Sequence, residues 1–353
     1  MNTPTELYNY DLTKERIAQY PPKIRGTTNL MIVNKENKKI EHKKYFNIVD
    51  YIKKGDLVVL NDTRIIPARL FGQLDNGKNI EILLLNPTPN PQDIHSTKWT
   101  ALLGKYKKNY SSTVHINPKM HIKIKTFNTD GTYEIEFNTD PYNIVHKEGH
   151  VPLPKYIKRD DEKDDAIRYQ TVFSRVEGSV ASPTASINLT KKLISKIEEK
   201  AQIVYITLYV SWGTFSPIRT KYIENHKIHT EFIQISKDTA QTINSFIESR
   251  KTNPERNLIA FGTTVCRTLE SVYKQFGKIV EYSGETDLYI YPPFEFKTIN
   301  SLVTNFHAPN SSLLTLVSAF MGYELMQKSY RIALDKKYNF LSYGDSMLIH
   351  SKK

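Results

Sequence analysis

The chain has 353 residues, and its 49 Lys and Arg outnumber its 37 Asp and Glu, giving a net charge of +12 at pH 7. Its single cysteine, Cys266, excludes an intrachain disulfide and a metal site made of several cysteines. The N-terminus lacks a signal-peptide pattern, and the longest apolar run, residues 313–320, is too short to span a membrane. We therefore expect a soluble cytoplasmic protein. The basic balance favours an anionic partner, nucleic acid first, although lysine-rich surfaces also serve solubility alone.

Residues 1–70 are predicted to mix helices and strands, with a buried strand in the apolar run at 57–60. Residues 71–150 have a different pattern. Asn76-Gly77 separates the segments 69–74 and 80–85 and is the strongest short signal for a β-hairpin. Further strands are predicted at residues 100–103, 113–116, 121–126 and 132–137. Short strands at this spacing predict a small barrel or sandwich.

Residues 151–353 alternate between predicted strands and helices. The strands are predicted at residues 203–210, 258–261, 288–291 and 302–304. The helices are predicted at residues 191–201, 239–250, 265–276 and 312–336, with the last one broken near Gly322. Alternation of this kind is typical of a layered βα sheet. We therefore expect an α/β domain of residues 1–70 and 151–353, interrupted by a β domain at residues 71–150.

Polar side chains follow four of the predicted strands, at the strand ends where ligands collect in open α/β sheets. The residues singled out in these strand-end segments are Asn61, Asp62, Thr63 and Arg64; Ser211 and Thr214 with their neighbours Gly213 and Phe215; Thr263 and Thr264, followed on their helix by Arg267 and Glu270; and Asn305 and His307. Four such strand ends together predict a binding site.

Several of these residues, and Asp345 near the end of the chain, also have a purely structural interpretation. Thr263 or Thr264 caps a helix, or the helix N-terminus receives an anion. Asp62 and Asp345 occupy turns, and Arg267 and Glu270 pair along one helix face. His307 is a structural histidine or, with its pKa range, a group for proton transfer.

Two cofactor patterns are absent or incomplete. No two glycines stand two positions apart, which excludes the dinucleotide-binding fingerprint. His226, His229 and Glu231 include metal-ligand types but lack the helical pattern of a zinc protease, so we expect no metal.

The predicted β domain contains a basic segment. From residue 94 to residue 129 there are seven lysines and no acidic residue, with aromatic side chains between the lysines. Such a segment can hold phosphates while its aromatic rings stack on unpaired bases. A basic barrel that is merely soluble is an equally good interpretation.

Six motifs, in order along nearly the whole chain, resemble those of one enzyme family. They are LNDTRIIPAR at 60–69, GTFSP at 213–217, HKIHTE at 226–231, GTTVCRTLE at 262–270, TNFH at 304–307 and YGDSMLI at 343–349. The chain resembles the S-adenosylmethionine:tRNA ribosyltransferase-isomerases of the queuosine pathway. The resemblance implies an α/β domain with an inserted small antiparallel β-barrel, and S-adenosylmethionine as co-substrate with no metal.

The resemblance also implies a reaction. The ribosyl part of S-adenosylmethionine is transferred and isomerised onto 7-aminomethyl-7-deazaguanine in the wobble position of tRNA, giving epoxyqueuosine-tRNA, adenine and methionine. The family route removes a proton from the carbon beside the sulfonium, expels adenine, and loses methionine as the epoxide closes. It therefore needs a general base, a proton donor to adenine and groups that hold the methionine ends.

The candidates for the base are His307, Asp62, Glu231 and Glu270, and the sequence does not choose among them. Arg64 or Arg267 suits a carboxylate or phosphate. The residues assigned to substrate binding are Asn61, Thr63, Arg64, Pro183, Thr184, Gly213, Thr214, Phe215, His226, His229, Thr263, Thr264, Arg267, Asn305 and Asp345. Lys105, Lys107 and Lys108 are assigned to tRNA, and we expect a monomer.

The sequence departs from the family pattern near the expected pocket. Asn188 and Tyr209 stand where the pattern has histidines, Ser211 replaces a small residue, and Asn29 stands where Arg is common. Two alternatives therefore stay open: a diverged relative that binds S-adenosylmethionine and acts on another nucleoside, and a catalytically silent tRNA-binding protein.

Overall fold

The structure is a computed structural model that describes residues 2–107, 110–211, 213 and 217–351. The α-helices are α1 Tyr142–Glu148, α2 Asp165–Arg168, α3 Lys191–Glu198, α4 Lys237–Thr252, α5 Thr263–Phe276, α6 Ser312–Met321 and α7 Tyr323–Asp335. The strands are β1 Asn29–Asn34, β2 Ile40–Lys44, β3 Leu57–Asn61, β4 Thr63–Ile65, β5 Arg69–Leu74, β6 Asn79–Pro87, β7 Lys98–Gly104, β8 Thr113–Asn117, β9 Met120–Phe127, β10 Tyr133–Phe137, β11 Val176–Ser179, β12 Gln202–Leu208, β13 Glu231–Ile235, β14 Leu258–Phe261, β15 Tyr282–Thr286, β16 Ser301–Asn305 and β17 Ser346–His350.

The main sheet has nine strands in the order β15-β13-β12-β3-β14-β16-β17-β1-β2. Its central strands β12, β3, β14 and β16 run parallel, and antiparallel pairs adjoin them on both sides. Every residue of β3 is buried, as expected for a parallel strand covered on both faces. Because these four strands are parallel, their carboxyl ends meet at one edge of the sheet.

Apolar side chains cover both faces of this sheet. Leu57 and Val59 of β3 belong to the core that includes side chains of α4, α5, α6 and α7. Val58 and Leu60 belong to the opposite core, with α3 and the 3₁₀ helix Tyr45–Tyr51. Successive side chains of a strand point to opposite faces, so one short apolar run supplies both layers.

Strands β5 to β10 form a closed antiparallel barrel in the order β10-β7-β6-β5-β8-β9. It has its own apolar core, in which the ring of Trp99 is buried and the indole N–H donates to the carbonyl of Ser96 at 2.7 Å. Gly77 has a φ of +81° in the turn between β5 and β6, a conformation that favours glycine. The barrel follows β4 and ends before α1, so it is an insertion in the order of the chain.

The structure confirms the predicted fold class, a layered βα domain with an inserted small antiparallel β-barrel. The predicted break in the last long helix is also confirmed, because α6 ends at Met321 and α7 begins at Tyr323. The domain limits at residues 70 and 151 stay a prediction. In the part of the chain that the structure describes, no helix has the length and apolarity needed to cross a membrane.

One predicted strand is wrong. Residues 288–291 are irregular, and the nearby strand is β15. Side chains take the backbone carbonyls that a ladder would use: Arg267 donates to the carbonyl of Leu288 and Thr315 to that of Ile290. Leu288 and Ile290 are nevertheless buried, so their alternating pattern reports burial rather than a strand.

Candidate active site

A cleft lies at the carboxyl ends of β14 and β16, beside the N-terminus of α5. The predicted site residues that line it are Pro183, Thr184, Thr263, Thr264, Asn305 and His307. Among its described lining residues there is no Asp, Glu, Lys or Arg. The cleft therefore offers hydroxyl, amide and imidazole groups, and no formal charge.

The start of α5 forms one wall of the cleft. Gly262 is the N-cap residue, with a φ of +112° and no side-chain cap. The expectation that Thr263 or Thr264 caps the helix is therefore wrong, because both residues are already helical. The first N–H groups of a helix have no partner within it, so this end of α5 has donors available for a ligand.

Among the residues that the structure describes, three buried side-chain atoms of the cleft have no hydrogen-bond partner: Ser182 Oγ, Thr264 Oγ1 and Asn305 Oδ1. The three residues are at most 9% exposed. Leaving a buried polar group unsatisfied costs about 1–3 kcal/mol, so a cluster of such groups needs an explanation. A polar ligand in the cleft would provide one.

His307 follows β16 and is held on several sides. Its Nε2 lies 2.8 Å from Thr304 Oγ1, its backbone N–H donates to the Tyr330 hydroxyl at 3.1 Å, and its carbonyl accepts from the Tyr10 hydroxyl. Burial lowers the pKa of the imidazole from 6.5 to about 3. The ring is therefore neutral at physiological pH and fixed in orientation.

Asp62 lies outside this cleft. Its carboxylate accepts from Arg175 at 2.7 Å and from Thr207 at 2.7 Å, and it lines a separate groove beside β12. Asn61 and Thr63 are engaged locally, because Asn61 bonds both backbone groups of Leu208 and accepts from the N–H of Thr63.

Arg64 also points elsewhere. Its side chain is half exposed, lies 3.5 Å from Glu177 and lines a third groove.

Glu231 and Arg267 form a buried ion pair. Arg267 also donates to the carbonyls of Leu288, His229 and Thr286, and Glu231 accepts from the N–H of Ser211 at 3.0 Å. The guanidinium thereby joins α5 to the strand β13 and the segments around it. Contacts of this kind indicate that Glu231 and Arg267 hold α5 and β13 in place relative to each other.

Glu270 and Asp345 bind backbone. Glu270 accepts from the N–H groups of Lys297 and Thr298, so the expected Arg267–Glu270 pair is not formed. Asp345 accepts from the N–H groups of Asn29 and Asn339, so its carboxylate joins β1 to the segment before β17; it follows the turn and is not part of it. Burial raises the pKa of the Asp345 carboxyl.

The HKIHTE motif does not converge on one point. The ring of His226 packs edge-on against Tyr289, while Glu231 faces Arg267. A Cβ at Gly213 would overlap the ring of His229, so only glycine fits there. In the described ranges no group of three or more His, Cys, Asp or Glu side chains could hold a metal ion. Thr214 and Phe215 lie outside the described residues, as does Lys108.

Sequence reasoning missed several lining residues. Ser182, Tyr156 and Ser342 line the cleft, and the Tyr156 hydroxyl lies 2.5 Å from Ser342 Oγ. Ser182 directly precedes Pro183 and Thr184, so the assignment of those two residues to substrate binding could have indicated Ser182 as well. Tyr156 and Ser342 follow no predicted strand end, and only the fold brings them to the cleft.

The departures from the family pattern lie around the cleft, not in it. Asn188 is buried, and its Oδ1 has no partner in the part of the chain that the structure describes. Tyr209 lies beside Phe232, and its hydroxyl donates to Gln234 at 3.4 Å. Asn29 binds Asp345. Neither these three residues nor Ser211, the fourth departure, is among the described residues that line the cleft, although Val210 beside Ser211 is.

The barrel carries basic and aromatic side chains at one end, which we call the barrel tip and define as Lys78, Lys105, Lys107, Tyr106 and Phe127. Lys105 and Lys107 are exposed and flank Tyr106. The ring of Phe127 is 45% exposed. Asp75 at the same end is paired with His115 at 2.8 Å.

The fold and the cleft define a class: an α/β protein with an inserted β-barrel and an uncharged cleft at the carboxyl ends of parallel strands. Within this class, the chain belongs to the queuosine biosynthesis protein family, whose sequence model matches residues 5–349.

Similar proteins cover nearly the whole chain. An S-adenosylmethionine:tRNA ribosyltransferase-isomerase of a Sulfurihydrogenibium species is 43% identical over 347 residues, which are 97% of this chain and 98% of that protein. The enzyme of that name from Aquifex aeolicus is 39% identical over 346 residues, covering 98% and 99%. The crystal structure of S-adenosylmethionine tRNA ribosyltransferase from Thermotoga maritima at 2.00 Å resolution is 30% identical, with a TM-score of 0.54 and coverage of 97% and 99%.

Proposed function

We propose that this chain is an S-adenosylmethionine:tRNA ribosyltransferase-isomerase. It transfers and isomerises the ribosyl part of S-adenosylmethionine onto 7-aminomethyl-7-deazaguanine in the wobble position of tRNA, and it releases adenine and methionine. The near full-length similarity to enzymes of that name supports this proposal. The observation that carries the site is the cleft, which is lined by His307 and by three buried polar groups that have no partner among the described residues.

His307 is the proposed general base. Thr304 Oγ1 lies 2.8 Å from His307 Nε2 and within 3.3 Å of the carbonyl of Asn305. In the proposed tautomer the hydroxyl donates to that carbonyl and accepts from Nε2–H, and Nδ1 is the basic nitrogen. The low pKa keeps this nitrogen unprotonated at physiological pH. Nδ1 takes the proton from the carbon beside the sulfonium, whose positive charge makes that carbon acidic. The aminomethyl nitrogen of the deazaguanine forms its new bond to the ribosyl group and gives up a proton. Adenine leaves with the electrons of its glycosidic bond and takes up a proton, and methionine leaves with the electrons of its carbon–sulfur bond as the epoxide closes.

The other three candidate bases are proposed as positioning groups. Asp62, Glu231 and Glu270 each have partners that satisfy the carboxylate, and none lines the cleft. Arg267 likewise uses its N–H groups on Glu231 and on backbone carbonyls, which favours a framework role over holding a substrate carboxylate.

The barrel tip is the proposed contact for tRNA. Lys105 and Lys107 suit phosphates, and Tyr106 and Phe127 are rings on which unpaired bases stack. Among the residues that the structure describes, three loops meet at this end of the barrel, and they follow β5, β7 and β9. The monomeric state expected from the sequence stays an expectation.

The deciding experiment is mass spectrometry of digested tRNA that carried 7-aminomethyl-7-deazaguanine and was incubated with the protein and S-adenosylmethionine. We expect epoxyqueuosine in the tRNA and one adenine released for each modified nucleoside. Folded protein that binds S-adenosylmethionine and forms no product would overturn the proposal. No observation on the cleft favours another nucleoside or a silent binding protein, because Asn188 and Tyr209 lie outside it.

A further inference from the structure

The cleft contains no formal charge among its described lining residues, although the proposed co-substrate is highly charged. S-adenosylmethionine carries a sulfonium, an ammonium and a carboxylate. Burying any of these without a partner is costly, and three of the charged residues proposed for the site from the sequence already have partners. Glu231 and Arg267 bind each other, and the Asp345 carboxylate is taken up by backbone N–H groups.

The unpartnered atoms have a definite hydrogen-bonding pattern. The Asn305 amide nitrogen lies 3.4 Å from the carbonyl of Asp345. Its Oδ1 has no partner among the described residues, and an amide oxygen is an acceptor only. Ser182 Oγ and Thr264 Oγ1 donate or accept, and the first N–H groups of α5 donate. Adenine complements this set, because its 6-amino group donates and its ring nitrogens accept.

We infer that the cleft binds the adenosine part of S-adenosylmethionine and that Asn305 Oδ1 selects the adenine 6-amino group. The inference rests on the proposed function and specifies which part of the co-substrate this cleft holds. The methionine part lies outside the cleft.

Asn305 would determine which base the cleft accepts, and replacing adenine with hypoxanthine tests this directly. Inosine replaces the 6-amino donor with a carbonyl acceptor, which would face Oδ1 without a hydrogen bond between them. A site that is built to bond a polar group rejects an analogue lacking it, because its own buried group stays unpaired.

The experiment is calorimetric titration of the full chain with adenosine, 5′-methylthioadenosine, inosine and methionine, each also tested as a competitor of S-adenosylmethionine. We expect both adenine nucleosides to bind and compete, inosine to bind at least about tenfold more weakly, and methionine not to displace bound adenosine. Equal affinity for adenosine and inosine, or no competition by adenosine, would overturn the inference. These comparisons use the unchanged protein, so they do not depend on any variant folding.

Variants then test which side chains form the hydrogen bonds to the nucleoside. Asn305→Ala should abolish the preference for adenosine over inosine, and Thr264→Val should weaken both nucleosides. Thr268→Val is the matched control, because Thr268 lies one turn further along α5, binds the carbonyl of Thr264 and does not line the cleft. If Asn305→Ala retained the preference, Asn305 would not be the determinant.

Adenine release with modified tRNA separates this inference from the proposed function. Turnover of S-adenosylmethionine without competition by adenosine would overturn the inference and leave the enzyme assignment standing. Selective adenosine binding without turnover would support the inference and overturn the assignment.

Discussion

At the scale of single residues, His307 is the proposed general base of the cleft, and its lowered pKa keeps the imidazole unprotonated at neutral pH. His307→Ala should lower adenine release about 10²- to 10⁴-fold, the usual loss when a general base is removed. The affinity for tRNA should stay nearly unchanged, because the barrel tip lies in another part of the fold. Single-turnover kinetics and filter binding measure the two quantities. His226→Ala, outside the cleft, is the control, and unchanged turnover in His307→Ala would exclude the proposed role.

His307 should also make stability depend on pH. Burial lowers its pKa from 6.5 to about 3 in the folded chain, so between these values the unfolded chain binds more protons. The folded state therefore loses stability as pH falls below about 6.5, by about 2 kcal/mol between pH 7 and pH 5. Urea unfolding of the wild type and of His307→Gln at both pH values measures this. His307→Gln should lack this loss of stability between pH 7 and pH 5. If the wild type and the variant lost the same stability over this range, the imidazole would not be buried as described.

At the scale of elements, the Arg267–Glu231 pair ties α5 to β13. Arg267→Leu leaves a buried carboxylate and several backbone carbonyls without donors, so it should destabilise the protein by about 3–5 kcal/mol. Urea unfolding should show part of this loss restored in the double variant with Glu231→Gln. The exposed pair Lys251–Glu248 is the control, and Lys251→Met should leave stability within error. A loss for Arg267→Leu as small as the control's would refute the framework role.

Elements were predictable from the sequence where one periodicity was strong, and less so where distant residues decide the outcome. The barrel strands alternate clearly, and β3 is a continuous apolar run, so both were predicted. Residues 288–291 have the same pattern but no ladder, because Arg267 and Thr315 take their carbonyls. The sequence prediction also did not assign β1 and β17, which pair with each other across more than 300 residues of chain.

The same limit applies to the site. The strand-end rule brings Thr264, Asn305 and His307 to one cleft, because parallel strands share an edge. The rule does not tell which of the candidate bases His307, Asp62 and Glu231 lies in the cleft. The partners of those carboxylates, Arg175 and Arg267, are far away in sequence and are adjacent only in the fold.

At the scale of the whole molecule, the proposed chemistry and the proposed tRNA contact lie on different units of one chain. The cleft belongs to the main sheet, and the barrel tip has its own apolar support, because the ring of Tyr106 packs at 5.4 Å from that of Tyr133. Changes at the barrel tip should therefore alter tRNA affinity while leaving the binding of S-adenosylmethionine as it is.

Lys105→Gln combined with Lys107→Gln tests that division. Each lysine that contacts a phosphate releases counterions, so its loss should reduce the slope of log affinity against log salt by about 0.7–0.9. The double variant should bind tRNA more weakly at low salt and approach the wild type at high salt. Lys119→Gln is the matched control, because Lys119 is an exposed lysine in the turn at the opposite end of the barrel. If the control lowered affinity as much as the double variant, the effect would come from net charge, and the barrel tip would have no specific part in holding tRNA.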